Sequence, residues 1–262
     1  MAPAPSPGRG AVGSATHIHE ESSVTDDILF RAGPVPVSRR NLLIGAGVVA
    51  VAVVGAAAWR MSTAASSQPR AGKKGRTAAV SEEELMRPGP LPDLVLGSAD
   101  APITVVEYAS MTCGHCARFH NTVFPTLKSK YVDTGKVRFI LREFPLDSLA
   151  AAASMVARCA GGDKTFPLVS ALFARQEEWA FVQSDQKQAL FKFARQAGFT
   201  EDSFNKCIGD KKLLDDITAI RAHASETLGV TSTPTFFING KKMTSAPTVE
   251  EFEKAFAPLL KT

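Results

Sequence analysis

The sequence predicts an α/β fold in which strands come first and last and helices fill the middle, in the order βαβ, helical insertion, ββα. Three observations predict it. A β-branched, nearly continuous apolar segment, Ile103–Ala109, leads through Ser110–Thr112 into a helical pattern. Strand character then disappears between residues 148 and 228. It returns after Thr233-Pro234 as Thr235-Phe236-Phe237-Ile238, followed by the turn pair Asn239-Gly240.

Taken in order, Asp93–Leu96 is a short strand and Ile103–Ala109 reads as a strand buried on both faces. Residues 113 to about 131 form a helix with Phe119, Val123 and Leu127 on one face and a kink at Pro125. Val137–Leu141 is the next strand, and a helix between two strands implies a parallel pair. The insertion, at about 146–230, holds five helices: 150–160, 166–176, 186–197, 200–208 and 213–228. Gly161, Gly198 and Gly209 are natural stops. A hairpin through Asn239-Gly240 reaches a short strand at 241–244. A final helix at 248–260 starts at Thr248, with Glu251 three residues on.

The first ninety residues read differently. Residues 1–38 are rich in Pro, Gly, Ser and Ala without apolar periodicity and are expected to be a disordered tail. Residues 39–63 carry Arg39-Arg40 followed by an uncharged apolar run, Leu42–Trp59, whose length lies between a signal core and a spanning helix. The segment resembles a bacterial twin-arginine export signal, although Ile44 stands where a basic residue is usual. A cleaved signal and a retained anchor that contacts the membrane through 42–59 both stay open. Residues 64–91 are expected to be a linker with one helical turn near Ser81–Met86, and residues 92–262 to be the folded domain.

Composition narrows the function. Of 262 residues, 45% are hydrophobic, and fifteen of the 16 Phe follow residue 118, so the core belongs to the second half. The net charge of +4 is small, and Arg60, Arg70, Lys73, Lys74 and Arg76 lie outside the domain, so no nucleic-acid surface is indicated. All four cysteines lie in the second half, as one close pair and two distant singles, a spacing unlike a small disulfide scaffold.

The close pair is Cys113-Gly114-His115-Cys116, set where the buried strand gives way to the helix. Residues i and i+3 share a helix face at a separation a disulfide can span. Cys113, at the helix start, meets free N–H groups and the positive end of the dipole, and His115 adds a donor and, when protonated, a charge. Both favour a thiolate. A pair whose reduced form is stabilised in this way is an oxidant. A zinc site would need a second ligand pair that Cys159 and Cys207 do not supply, and an inert disulfide is the other alternative. Pro234 immediately before an apolar strand points to a cis Thr233–Pro234 bond that brings this loop beside Cys113.

These features together resemble the thioredoxin-fold superfamily, and more closely its DsbA-like thiol–disulfide oxidoreductases. They are the strand before Cys-Gly-His-Cys, the Thr233-Pro-Thr-Phe-Phe-Ile-Asn-Gly240 segment and the helical insertion between them, within about residues 92–260. The resemblance implies that Cys113 attacks and forms mixed disulfides, that Cys116 resolves them, and that Thr233-Pro234 pairs with bound substrate. It also implies a buried acid, here Glu107, that assists proton transfer at the second cysteine; the alternative is a strand-end carboxylate reaching water. Cys159 and Cys207 would form a structural disulfide, as some DsbA-like proteins carry a second pair; two free buried thiols are the alternative. His120 is expected to face solvent and Phe119 to be core.

No cofactor or metal is expected, and the protein is expected to be a monomer. The partners implied are thiol-containing exported proteins and a membrane redox partner, on the periplasmic or extracytoplasmic side. Basic flanks of the apolar run, five after it against three before, favour the opposite orientation. The cysteine usage argues for an oxidising compartment and outweighs them. A disulfide isomerase or reductase of the same superfamily is the rival reading, although residues 64–91 are too short for the dimerisation domain such isomerases carry. A metal- or peptide-binding module without turnover is a further rival.

Overall fold

The computed structural model describes residues 80–260; the tail at 1–38, the segment at 39–63 with its apolar run, and residues 64–79 lie outside the described residues. Five strands form one mixed sheet: β1 (Leu94–Leu96), β2 (Ile103–Ala109), β3 (Val137–Glu143), β4 (Thr235–Ile238) and β5 (Lys241–Lys242), in the order β1-β3-β2-β4-β5. Central β2 and β3 are parallel, from Ile103 opposite Val137 to Ala109 opposite Glu143. The other three pairings are antiparallel. Asn239 and Gly240 both adopt positive φ in the β4–β5 turn. The Asn239 amide also binds the β2 entry, accepting from Thr104 N at 2.7 Å.

The chain enters through α1 (Glu82–Leu85), whose N-cap Ser81 accepts from Glu84 N. After β2 comes α2 (Gly114–Thr122), then α3 (Phe124–Leu127) and a π turn at Lys128–Val132. The expected single helix with a kink at Pro125 is therefore three pieces, broken at Val123 ahead of the proline. The ring of Pro125 excludes the carbonyl four residues back and has no N–H to offer it, so the disruption falls within the preceding turn.

The insertion follows the sequence reading closely: α4 (Ser148–Ala160), α5 (Thr165–Ala174), α6 (Gln186–Gln196), α7 (Glu201–Ile208) and α8 (Lys211–Glu226), with α9 (Val249–Phe256) closing the chain. Side chains 149–157 of α4 are all buried, and its four consecutive alanines let it sink among its neighbours. Its N-cap is Asp147, and its last turn is tied to the end of β3 by the Arg158–Glu143 ion pair. Cys159 of α4 and Cys207 of α7 are joined by a disulfide, with Cα atoms 6.2 Å apart.

Alternation along the strands divides the core in two. Val105, Glu107, Phe139, Leu141 and Phe236 face α2, most of the insertion and α9. Phe119 is core, as expected, against Phe236 (ring centroids 4.6 Å), Phe252 and Phe124. Val106, Tyr108, Ile140 and Phe237 face the other way, toward Ile220 and Ala224 of α8. Leu85 of α1 is 1% exposed in that second cluster, so residues 80–91, expected as linker, belong to the packed domain. Buried Arg142 holds them: it donates to both Asp93 carboxylate oxygens at 2.7 and 2.9 Å, to Tyr108 Oη at 2.9 Å and to Leu85 O. Replacing Arg142 by Leu strands these acceptors under α1. The variant should lose about 3 kcal/mol in urea unfolding followed at fixed redox state.

Candidate active site

Why Cys113 sits where it does follows from β2. That strand is buried on both faces and must end before the chain reaches the surface, and Ser110–Thr112 turn it into α2. Cys113 is the N-cap, and its sulfur accepts from Cys116 N at 3.4 Å. Asp147, while capping α4, accepts from the Thr112 hydroxyl at 2.7 Å. Gln176, buried beyond α5, donates to Met111 O at 2.7 Å and Cys113 O at 3.2 Å. The loop is thus clamped by the insertion on one side.

On the other side stands Thr233-Pro234, whose peptide bond is cis. The Cys113 sulfur lies 3.4 Å from Thr233 O, so the loop and the cysteine pair do meet. The Thr233 hydroxyl is buried without a nitrogen or oxygen partner and faces the Cys113 sulfur.

The two cysteines, both free thiols in this structure, are placed in opposite environments. Cys113 is lowered from an ordinary 9.0 to about 5, chiefly by its hydrogen bond with Cys116, then by the Thr233 hydroxyl and the Cys116 and His115 backbone N–H groups, against burial. Cys116 is raised, first by burial, then by its hydrogen bond with Cys113 and by the negative charge of Glu107. A depressed folded-state value stabilises the folded thiolate fully above the ordinary thiol range and loses that stabilisation as pH falls through 5. At pH 7 the two units above 5 amount to about 3 kcal/mol in favour of reduced Cys113 over a thiol of ordinary acidity.

One sequence expectation, for His120, needs correction here. His115 is exposed, and its backbone N–H is among the groups that lower Cys113. Cys113 is 8% exposed and Cys116 is wholly buried. His120 does not face solvent: it is buried, with Nε2 2.9 Å from Glu107 Oε2. Glu107 itself is 0% exposed, on the sheet face beneath α2. Sequence spacing contained the signal for His120, four residues after Cys116 and so on the same helix face as a buried cysteine. Nothing in the sequence pointed to Gln176 or to the Asp147–Thr112 contact, which join segments distant along the chain. Among the described residues no group of three or more His, Cys, Asp or Glu side chains could hold a metal ion.

Known proteins are similar over the same region. The thioredoxin family model matches residues 91–257. The structure of Wolbachia pipientis alpha-DsbA1 superposes with a TM-score of 0.63 at 36% identity, covering 69% of this chain and 96% of that one. The structure of BdbD from Bacillus subtilis, at 20% identity and a TM-score of 0.56, covers 65% and 94% and shares the fold. A Rickettsia bellii relative, named as a protein-disulfide oxidoreductase, is 36% identical over 148 residues. That match spans 56% of this chain and 57% of the relative's length. The chain belongs to the thioredoxin family, in its DsbA-like branch.

Alkylation of the reduced protein should report the Cys113 environment directly. The pH of half-maximal reactivity is expected near 5. It should rise in Thr233→Val, which removes a hydroxyl donor, and change less in His115→Ala, which keeps the backbone N–H.

Proposed function

We propose that the protein is a thiol–disulfide oxidase that donates its Cys113–Cys116 disulfide to thiols of newly exported proteins. The observation that carries this reading is the asymmetry of the pair: Cys113 favours the thiolate and retains a little exposure, whereas Cys116 is enclosed and held as a thiol. A substrate thiolate attacks the Cys113 sulfur, the Cys113–Cys116 bond breaks, and Cys116 takes up a proton. A second substrate thiolate then attacks the mixed disulfide and releases Cys113 as its stabilised thiolate. The substrate leaves oxidised by two electrons, and the pair leaves reduced.

In this scheme Cys113 is the attacked and, in the reverse direction, attacking sulfur, and Cys116 resolves. Gly114 and His115 supply the short turn and a backbone donor, and Thr233-Pro234 offers its backbone to the extended substrate segment. Glu107 exchanges the Cys116 proton, and Cys159–Cys207 braces the insertion. No cofactor enters the reaction. A membrane redox partner reoxidises the pair, and the work is done on the periplasmic or outer side of the inner membrane. The even cysteine use and the export-like segment at 39–63 support that placement.

Oxidised protein should convert a reduced, unfolded disulfide protein to its native form faster than it rescues one with scrambled disulfides; the reverse preference would favour an isomerase. Cys116→Ala should accumulate mixed disulfides through Cys113, and Cys113→Ala none. Equal trapping by both variants would reverse or remove the assigned roles. A reporter active only outside the cytoplasm, fused after Thr262, should be active.

A further inference from the structure

Beneath Cys116 lies a buried acid–imidazole pair with half of its hydrogen-bonding capacity unused. The side chains of Glu107 and His120 are 0% and 1% exposed. They meet through Oε2 and Nε2 at 2.9 Å, while Glu107 Oε1 and His120 Nδ1 have no hydrogen-bond partner. Rings without charge enclose the imidazole. Phe173 of α5 stacks on it at 4.4 Å, with Phe124 of α3 at 5.0 Å and Phe139 of β3 at 6.5 Å. Across β4, Phe236 stands beside Glu107 in register. The titratable group on which the pair acts is Cys116 of α2, which feels the Glu107 charge.

These apolar walls decide the tautomer. An imidazolium, or a neutral ring with its hydrogen on Nδ1, would bury an N–H donor against phenyl rings with nothing to accept it. A hydrogen on Nε2 leaves only a lone pair unsatisfied and makes Nε2 a donor to Glu107 Oε2. The Glu107 carboxyl group is then held at one oxygen and open at the other.

We propose that His120 is a positioning residue for the disulfide exchange: its Nε2–H holds Glu107 Oε2 so that Glu107 Oε1 can pass a proton to and from the Cys116 sulfur. The inference rests on the oxidoreductase reading and deepens it. When a substrate thiolate attacks Cys113, a sulfur–sulfur bond forms between them, the Cys113–Cys116 bond breaks, and its electron pair leaves on Cys116. A proton taken up from solution passes through Glu107 Oε1 to that sulfur, so that Glu107 is a carboxylate before and after the step. That carboxylate is buried, and the His120 N–H already in place keeps it from being unpaired. On reoxidation the proton returns by the same path, and no electron passes through Glu107 or His120.

The test uses the full chain and the rate at which glutathione reduces the Cys113–Cys116 disulfide between pH 5 and 9. A hydrogen bond to a buried charge is strong enough that His120→Leu should slow reduction at pH 7 about tenfold or more and displace the pH profile. His120→Gln, which keeps an N–H at the end of the side chain, should restore the profile and most of the rate. Glu107→Gln should be slow and should no longer respond to loss of the His120 N–H. Equal slowing in His120→Leu and His120→Gln would reduce the pair to packing and overturn the proposal. Wild-type behaviour in His120→Leu, or in Glu107→Gln, would overturn it as well. Nitrogen NMR of the unaltered protein decides the matter even where a variant does not fold: His120 should carry its hydrogen on Nε2, and a hydrogen on Nδ1 would overturn the assignment. Failure of the wild-type protein to exchange disulfides at all would be a separate result, against the oxidoreductase reading itself.

Discussion

A sulfur that is to remain an anion near neutral pH must be surrounded by donors that stay in place, and that requirement at Cys113 organises the rest of the molecule. The donors are few: Cys116 beside it, the backbone N–H groups of the first turn of α2, and the Thr233 hydroxyl. They lie on two segments, α2 and the loop before β4. β2 and the phenylalanine cluster around Phe119 hold α2 down, β4 fixes the loop that follows the insertion, and the β2–β4 pairing locks the two at one end of the sheet. The thiolate is therefore as stable as the register of these two strands.

The insertion contributes by clamping. It does not touch the Cys113 sulfur, yet Asp147 and Gln176 bind Thr112 and the main-chain carbonyls on either side of that residue. Arg158–Glu143 and the Cys159–Cys207 bridge join α4 to β3 and to α7. The first turn of α2 is thereby braced from a helical layer that is itself cross-linked. On the opposite sheet face, α1 is fastened by Arg142, so the half of the domain away from the site has its own anchor.

Much of this could be read from sequence because the informative patterns were local. Short, nearly continuous apolar runs marked β2 and β4, glycines marked the ends of the insertion helices, and Asn239-Gly240 marked a turn that needs two positive φ values. Cys113, Cys116 and Pro234 were legible for the same reason, since each sits at a boundary between two kinds of pattern. What escaped was tertiary. A linker turn at Ser81–Met86 gave no sign that Leu85 would be covered, because one apolar residue in a polar stretch has no period. His120 was misplaced because its burial depends on a partner on another element, Glu107 of β2.

The central claim is that Cys113 is a thiolate and Cys116 a thiol over the working pH range, and the pH dependence of the pair's reduction potential tests it most directly. Titration against glutathione should give a pair more oxidising than glutathione, with a potential falling by about 30 mV per pH unit above pH 5, where reduction takes up one proton for two electrons. Below pH 5 both sulfurs are protonated on reduction and the slope should steepen to about 60 mV per unit. A single slope of about 60 mV from pH 5 to 9, with a potential no higher than that of glutathione, would mean that Cys113 is an ordinary thiol and would contradict the account.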